Sequence, residues 1–231
     1  MKSLEILGIF LSGAILFASC ESAPKSDEAK TGEAQKVDST KAAEAQTLKV
    51  DVANSVITWV GTKPTGKHNG TFALSEGSVS VKEGKIVGGK FVIDVKSLKV
   101  LDIPETEKEN AKLTGHLKSP DFLDAEKFPT ATFEVVSVEP YKADTTQKVS
   151  EKDKEYTLEN PTHSITGNLT MKGVTKSITF PAIVKLEGGK MEAEAKFNIN
   201  RKDWGMEWGI TDKLISNTVH MGFKISAGVA K

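Results

Sequence analysis

One cysteine, Cys20, occurs in 231 residues. The chain therefore has no internal disulfide and no cysteine-built metal cluster. Charge of one sign is also missing: 31 lysines and arginines balance 31 aspartates and glutamates. Nucleic acid normally requires a clustered basic surface, so it is not an expected partner. Past the first twenty residues, no apolar run is long enough to span a bilayer. The four histidines, His68, His116, His163 and His220, form no HExxH or other tight ligand spacing, so no metal is expected. There is no GxSxG elbow and no repeat of fixed period. Catalytic residues and cofactors are accordingly assigned to none.

The first stretch, MKSLEILGIFLSGAILFASC, carries Lys2, an apolar run over 6–17 and small residues just before Cys20. This is the layout of a secretory signal, with an apolar centre too short for a membrane span. Ala18-Ser19-Cys20 is similar to a bacterial lipobox, although Phe17 stands where leucine is usual. The expected organisation is a lipoprotein-type signal peptide at 1–19, with lipid attachment at Cys20. The expected location is the cell envelope, as a periplasmic or outer-membrane-anchored lipoprotein. Residues 20–47 have no aromatic and are rich in Ala, Lys, Glu, Ser and Thr. Such a segment buries too little apolar surface to offset its ordering entropy. It reads as a flexible tether with a reach of roughly 30 Å, or as a marginal helix; either reading leaves it outside the core. The folded domain is expected at 48–231.

Within that domain most segments alternate apolar and polar residues, the signature of strands. At 191–199, Met191, Ala193, Ala195, Phe197 and Ile199 share one face, and Glu192, Glu194, Lys196 and Asn198 the other. Val219, Met221, Phe223 and Ile225 repeat the pattern, with His220 on the wet side. Phe72 and Leu74 share a face; Ala131, Phe133 and Val135 alternate against Thr132, Glu134 and Val136. Turns are expected at Glu83-Gly84, Lys172-Gly173 and Gly188-Gly189. The exception is 101–129, which has no alternation. There, 105–113 is compatible with a short polar helix, and Ser119-Pro120-Asp121 reads as the start of another. About eight strands with short turns predict an all-β fold, an antiparallel barrel whose closure removes its edges. Its interior either fills with side chains or holds one small ligand.

Several ordered stretches resemble the YceI family of bacterial secreted, lipocalin-like proteins: WVGTK (59–63) with GKHNGTF (66–72), GGKFVID (88–94) with SL (97–98), HLKSPDF (116–122) with FPTATF (128–133), GNLTMKGVTK (167–176) with ITFP (178–181), and NRKDWG (200–205). Each is weak alone; the ordered set is specific. The N-terminal tether and the charged loop near 144–153 depart from the family pattern. The resemblance implies an elongated, lipocalin-like antiparallel β-barrel with a short helical excursion. It also implies binding of a polyisoprenoid or similar long-chain amphipathic lipid, which a membrane-tethered protein would carry or store.

Candidate ligand-binding residues are those on the dry faces: Trp59, Phe72, Phe91, Ile93, Phe133, Met171, Phe180, Phe197, Ile199, Met221 and Phe223. Ala193 and Ala195 are small enough to leave room for a chain. A lipid of ~40 carbon atoms at ~0.3 kcal/mol per heavy atom gains about 12 kcal/mol, near nanomolar affinity, with no charged anchor. The competing reading is a filled barrel serving as a surface or periplasmic protein-interaction module. An enzyme is a third reading: Ser119 is better explained as a helix cap, and Glu134, the one strand carboxylate worth weighing as a general acid, alternates outward. A homodimer is within reach of such a barrel through its edges or faces. The stretch RKDWGMEWG, 201–209, is expected to bend the chain at a barrel end and to rim the cavity. Arg201 there could pair with Asp203 or stack on a tryptophan.

Overall fold

The computed structural model describes residues 23–38, 40, 44–142, 151–209 and 214–229. The expected signal and Cys20 lie outside the described residues. Alternation becomes pairing in eight consecutive strands: β3 (Val56–Lys63), β4 (Gly66–Lys82), β5 (Lys85–Val100), β6 (Thr130–Pro140), β7 (His163–Met171), β8 (Val174–Glu187), β9 (Lys190–Asn200) and β10 (Thr218–Gly228). Each pairs antiparallel with the next, and β10 returns to β3 with Val219 opposite Gly61 and Lys224 opposite Val56. The result is the expected closed antiparallel barrel of eight strands, lipocalin-like in form. β1 (Lys30–Glu33) and β2 (Gln46–Val50) are additions on its flanks.

Besides the Pro64-Thr65 turn between β3 and β4, which the sequence does not mark, three hairpin turns fall where the sequence places them. Each carries two successive positive φ values: 51° and 71° at Glu83-Gly84, 51° and 76° at Lys172-Gly173, and 57° and 71° at Gly188-Gly189. Two left-handed residues make the turn whose twist matches that of the strands it joins. Inside the barrel, close approach also demands glycine. A Cβ on Gly167 would stand 2.2 Å from Phe133 Cζ and 2.7 Å from the Glu134 carbonyl oxygen.

The in–out alternation is not continuous. Pairing of β4 with β5 slips between Leu74 and Glu76, and pairing of β6 with β7 between Val135 and Ser137. Each irregularity reverses which residues face inward. Phe72 and Leu74 are therefore followed by Val79 on the inside, and Ala131, Phe133 and Val135 by Val138.

Two expectations need correction. The single α-helix among the described residues is α1 (Lys108–Lys118), and Ser119 is its C-cap rather than the N-cap of a following helix. The Ser119 hydroxyl accepts from the Asp121 backbone N–H across a turn. The helix lies where Asn110, buried beneath it, donates to the carbonyls of Val100 and Ile103, a tertiary tie that local capping signals do not encode. Second, the segment expected to be a tether is partly built into the barrel. Beyond the Ala182–Ala195 pair, β8 and β9 part. There β1 pairs with β8 from Thr179 to Lys176, and Asn198 of β9 exchanges backbone hydrogen bonds with Asp27 and Ala29. The apolar-burial argument fails because this segment is held by backbone pairing and by polar side chains. Glu33 meets Lys176, Gln35 meets Asn168 and Ser177, and Glu28 meets Asn198.

Candidate functional site

The barrel is hollow. A cavity of about 430 Å³ runs inside it, within the range of sites that hold small apolar molecules. All eleven candidate residues line it: Trp59 from β3, Phe72 from β4, Phe91 and Ile93 from β5, Phe133 from β6, Met171 from β7, Phe180 from β8, Phe197 and Ile199 from β9, and Met221 and Phe223 from β10. Five phenylalanines from five strands touch in sequence. Phe91 and Phe133 have ring centroids 6.4 Å apart, Phe133 and Phe180 5.7 Å, Phe180 and Phe197 4.2 Å in a stacked pair, and Phe180 and Phe223 5.8 Å edge to face. This girdle is what single-face alternation on adjacent strands produces. Ala193 lines the cavity as expected. Ala195 does not: it is fully buried opposite Ala182, where β8 and β9 part.

The mouth is the part that strand periodicity does not reveal. Leu113, His116 and Leu117 of α1 project onto one end of the cavity, with Phe122, Met206 and Trp208 from the connecting segments. His116 packs edge-on against Phe122 at 5.0 Å and against Trp208 at 4.7 Å. Trp208 is partly exposed at 37%, as a rim residue is. His68 also lines this end, and its Nδ1 lies 2.7 Å from Asp102 Oδ2. Burial pushes the Asp102 carboxyl up, but the Asn69 backbone N–H and His68 together outweigh it and hold it below the usual value.

The RKDWGMEWG stretch forms the bend that the sequence suggests. Arg201–Trp204 is a 3-10 turn ending at Gly205, with φ 69°. Trp204 is fully buried and its indole N–H donates to the Leu169 carbonyl at 3.1 Å, which anchors the bend to β7. Neither arrangement considered for Arg201 occurs. Its guanidinium donates to the carbonyls of Ser216 and Met206 and to Asn217 Oδ1, and its face lies over Phe122 at 6.0 Å. Arg201 is 2% exposed, lines the cavity, and burial lowers its pKa from the ordinary arginine value.

Two polar atoms of cavity-lining residues, Trp59 Nε1 and Thr62 Oγ1, are buried with no hydrogen-bond partner. Glu134 faces outward, 3.1 Å from Lys90. Among the described residues, no three His, Cys, Asp or Glu side chains converge as metal ligands. His220 is buried rather than superficial, because Tyr156 covers it at 5.2 Å and Asn198 Oδ1 lies 3.1 Å from its Nδ1.

A family model described as a YceI-like domain matches residues 48–227. A UPF0312 protein of Pseudomonas putida strain F1 is 33% identical over 120 residues, covering 52% of this chain and 50% of that protein. Protein YceI of Salmonella arizonae is 29% identical over 143 residues, covering 59% and 62%. The chain thus spans about half to under two thirds of the length of these curated relatives. Among solved structures, BcnA of Burkholderia cenocepacia superposes with a TM-score of 0.55 at 22% identity, over 77% of this chain and 98% of that one. A polyisoprenoid-binding domain from Saccharophagus degradans does so with 0.55 at 17% identity, over 79% and 98%. At these identities the two structures share a fold with this chain.

Proposed function

Since the chain belongs to the YceI-like domain family and encloses an apolar cavity, we propose that it binds one long-chain amphipathic lipid, such as a polyisoprenoid, inside its barrel. The observation that carries this reading is the cavity itself, about 430 Å³, whose lining includes all eleven candidate residues and draws on all eight strands. The fold neighbour named as a polyisoprenoid-binding domain supports the same ligand class. The reading is of a binding protein and not an enzyme. The signal-like N-terminus and Cys20 support a lipid-anchored carrier or store in the cell envelope. A filled barrel serving only as an interaction module is disfavoured by the hollow interior.

The test is mass spectrometry of an organic-solvent extract of the purified full chain. Truncation at Leu48 is avoided because it would remove β1. Recovery of one long-chain lipid per chain is expected. A blank extract from folded protein that also takes up no added isoprenoid alcohol would overturn the proposal.

A further inference from the structure

Arg201 is a buried cation without a counter-ion. Among the described residues no carboxylate pairs with it. Its three hydrogen bonds go to two carbonyls and one side-chain amide oxygen. These dipoles orient the guanidinium and leave two of its five N–H groups uncommitted. Arginine does not neutralise itself by losing a proton, so the charge persists in the wall of an apolar cavity, where an unpaired charge is costly. Its surroundings share its sign. The ionisable side chains lining the cavity are Lys63, His68, His116 and Arg201, all basic, and no described aspartate or glutamate lines it. Asp102 and Asp121 stand behind the two histidines, 2.7 Å and 2.9 Å from their ring nitrogens. Arg201 and His116 meet at one aromatic cluster, since both pack on Phe122. The basic groups therefore gather at the mouth, at one end of the phenylalanine girdle.

We propose that the cavity is built for a long-chain anion, with the tail along the girdle and a carboxylate or phosphate head taken at the mouth by Arg201, beside His116. This rests on the reading of the cavity as a lipid site and adds to it the class of headgroup. Planar guanidinium matches both heads through paired N–H donors. It also removes the need to treat apolar burial as the only source of affinity.

Binding of three probes with the same sixteen-carbon tail tests this: hexadecanoate, hexadecyl phosphate and hexadecanol. Each is titrated into the full chain at pH 7.5 below its aggregation limit, with intrinsic tryptophan fluorescence as the signal. At least one anion is expected to bind about ten- to a hundredfold more tightly than the alcohol, the range for hydrogen bonds to a charged group. Comparison of the two anions identifies the head. Equal affinity for alcohol and anions overturns the anionic head while leaving the lipid site standing. Failure of all three to bind overturns the anionic head, and the lipid site falls with it only if added isoprenoid alcohol is not taken up either. In Arg201→Met, checked for folding by circular dichroism, the ratio of anion to alcohol affinity is expected to fall toward one. A folded variant that keeps the full ratio removes Arg201 from the headgroup site. If that variant does not fold, Arg201→Lys serves: it keeps the charge without the fork, and an anion preference that is weakened but retained is the result expected.

Discussion

Acidification should loosen this barrel through one imidazole. His220 is 4% exposed, and burial, followed by the nearby Lys196 ammonium, pushes its pKa down from 6.5 to about 4. The folded state therefore favours the neutral ring, while the unfolded chain takes a proton near 6.5. Above that pH neither state is protonated and the contribution is complete. As pH falls from 6.5 toward 4 the unfolded state binds the extra proton and stability declines; below about 4 both states are protonated and the loss levels off. The full difference is about 3 kcal/mol. The groups around the ring are Asn198, Tyr156 and Lys196, and the Lys196 ammonium donates to the Glu155 carbonyl. Urea denaturation at several pH values between 4 and 8, for wild type and His220→Gln, isolates the effect, because carboxylates titrate alike in both. Wild type should lose about 3 kcal/mol more than the variant between pH 7 and pH 4. Parallel curves, or an imidazole that titrates near 6.5 by nuclear magnetic resonance in the folded protein, would refute the argument.

Three other perturbations read different parts of the structure. Gly167→Ala places a methyl group 2.2 Å from Phe133 Cζ, and the displaced ring should lower stability by about 1–3 kcal/mol in chemical denaturation. Asn198→Ala removes bonds to the Pro24 carbonyl, the Glu28 carboxylate and His220. It should cost about 1–3 kcal/mol, with amide exchange and protease cleavage rising first at residues 23–35; unchanged exchange there would show that the segment is held by β8 alone. Trp208→Ala at the partly exposed rim should shift the melting temperature by no more than a few degrees while speeding lipid release, as measured by transfer to acceptor vesicles.

How much of this was legible in the residues follows from what kind of interaction places each one. Period-two alternation placed Met191, Phe197, Ile199, Met221 and Phe223 on the cavity side, because β9 and β10 pair over eleven residues without a slip. It could not place Val79 or Val138, whose facing depends on irregularities upstream. Turn chemistry marks three of the four two-residue hairpins, since positive φ is a local demand; the fourth, Pro64-Thr65 between β3 and β4, has no positive φ and carries no such signal. Of the two helices expected, the one at 105–113 overlaps α1, which Asn110 holds by reaching two backbone carbonyls outside it, whereas Ser119-Pro120-Asp121 carries local start signals but follows the C-cap of α1. β1 was hidden for a related reason: its residues bring no apolar surface, and its pairing satisfies a gap between β8 and β9 that exists only once the barrel has closed. At the mouth, His116, Arg201 and Trp208 lie up to 92 positions apart along the chain, and no periodicity connects them.

The void and the polar clamps around it belong to one energetic problem. Were it left unfilled, an apolar cavity of 430 Å³, at about 24 cal/mol per Å³, would forgo roughly 10 kcal/mol of packing. That is as large as the entire stability of a typical domain. A barrel that keeps such a space must be held from outside, and here it is. Closure of β10 onto β3 leaves no free edge at that seam. Trp204 is locked under the bend at β7 by its bond to Leu169. Residues 23–35 fill the place where β8 and β9 part. These contacts lie on the wall or the outer surface, so they stabilise the shell without occupying its interior. A ligand that fills the girdle would recover part of the forgone packing, and a headgroup anion at Arg201 would relieve a buried charge that has no counter-ion among the described residues. Both gains are available only to the loaded protein, which is the energetic bias that a lipid-binding barrel needs.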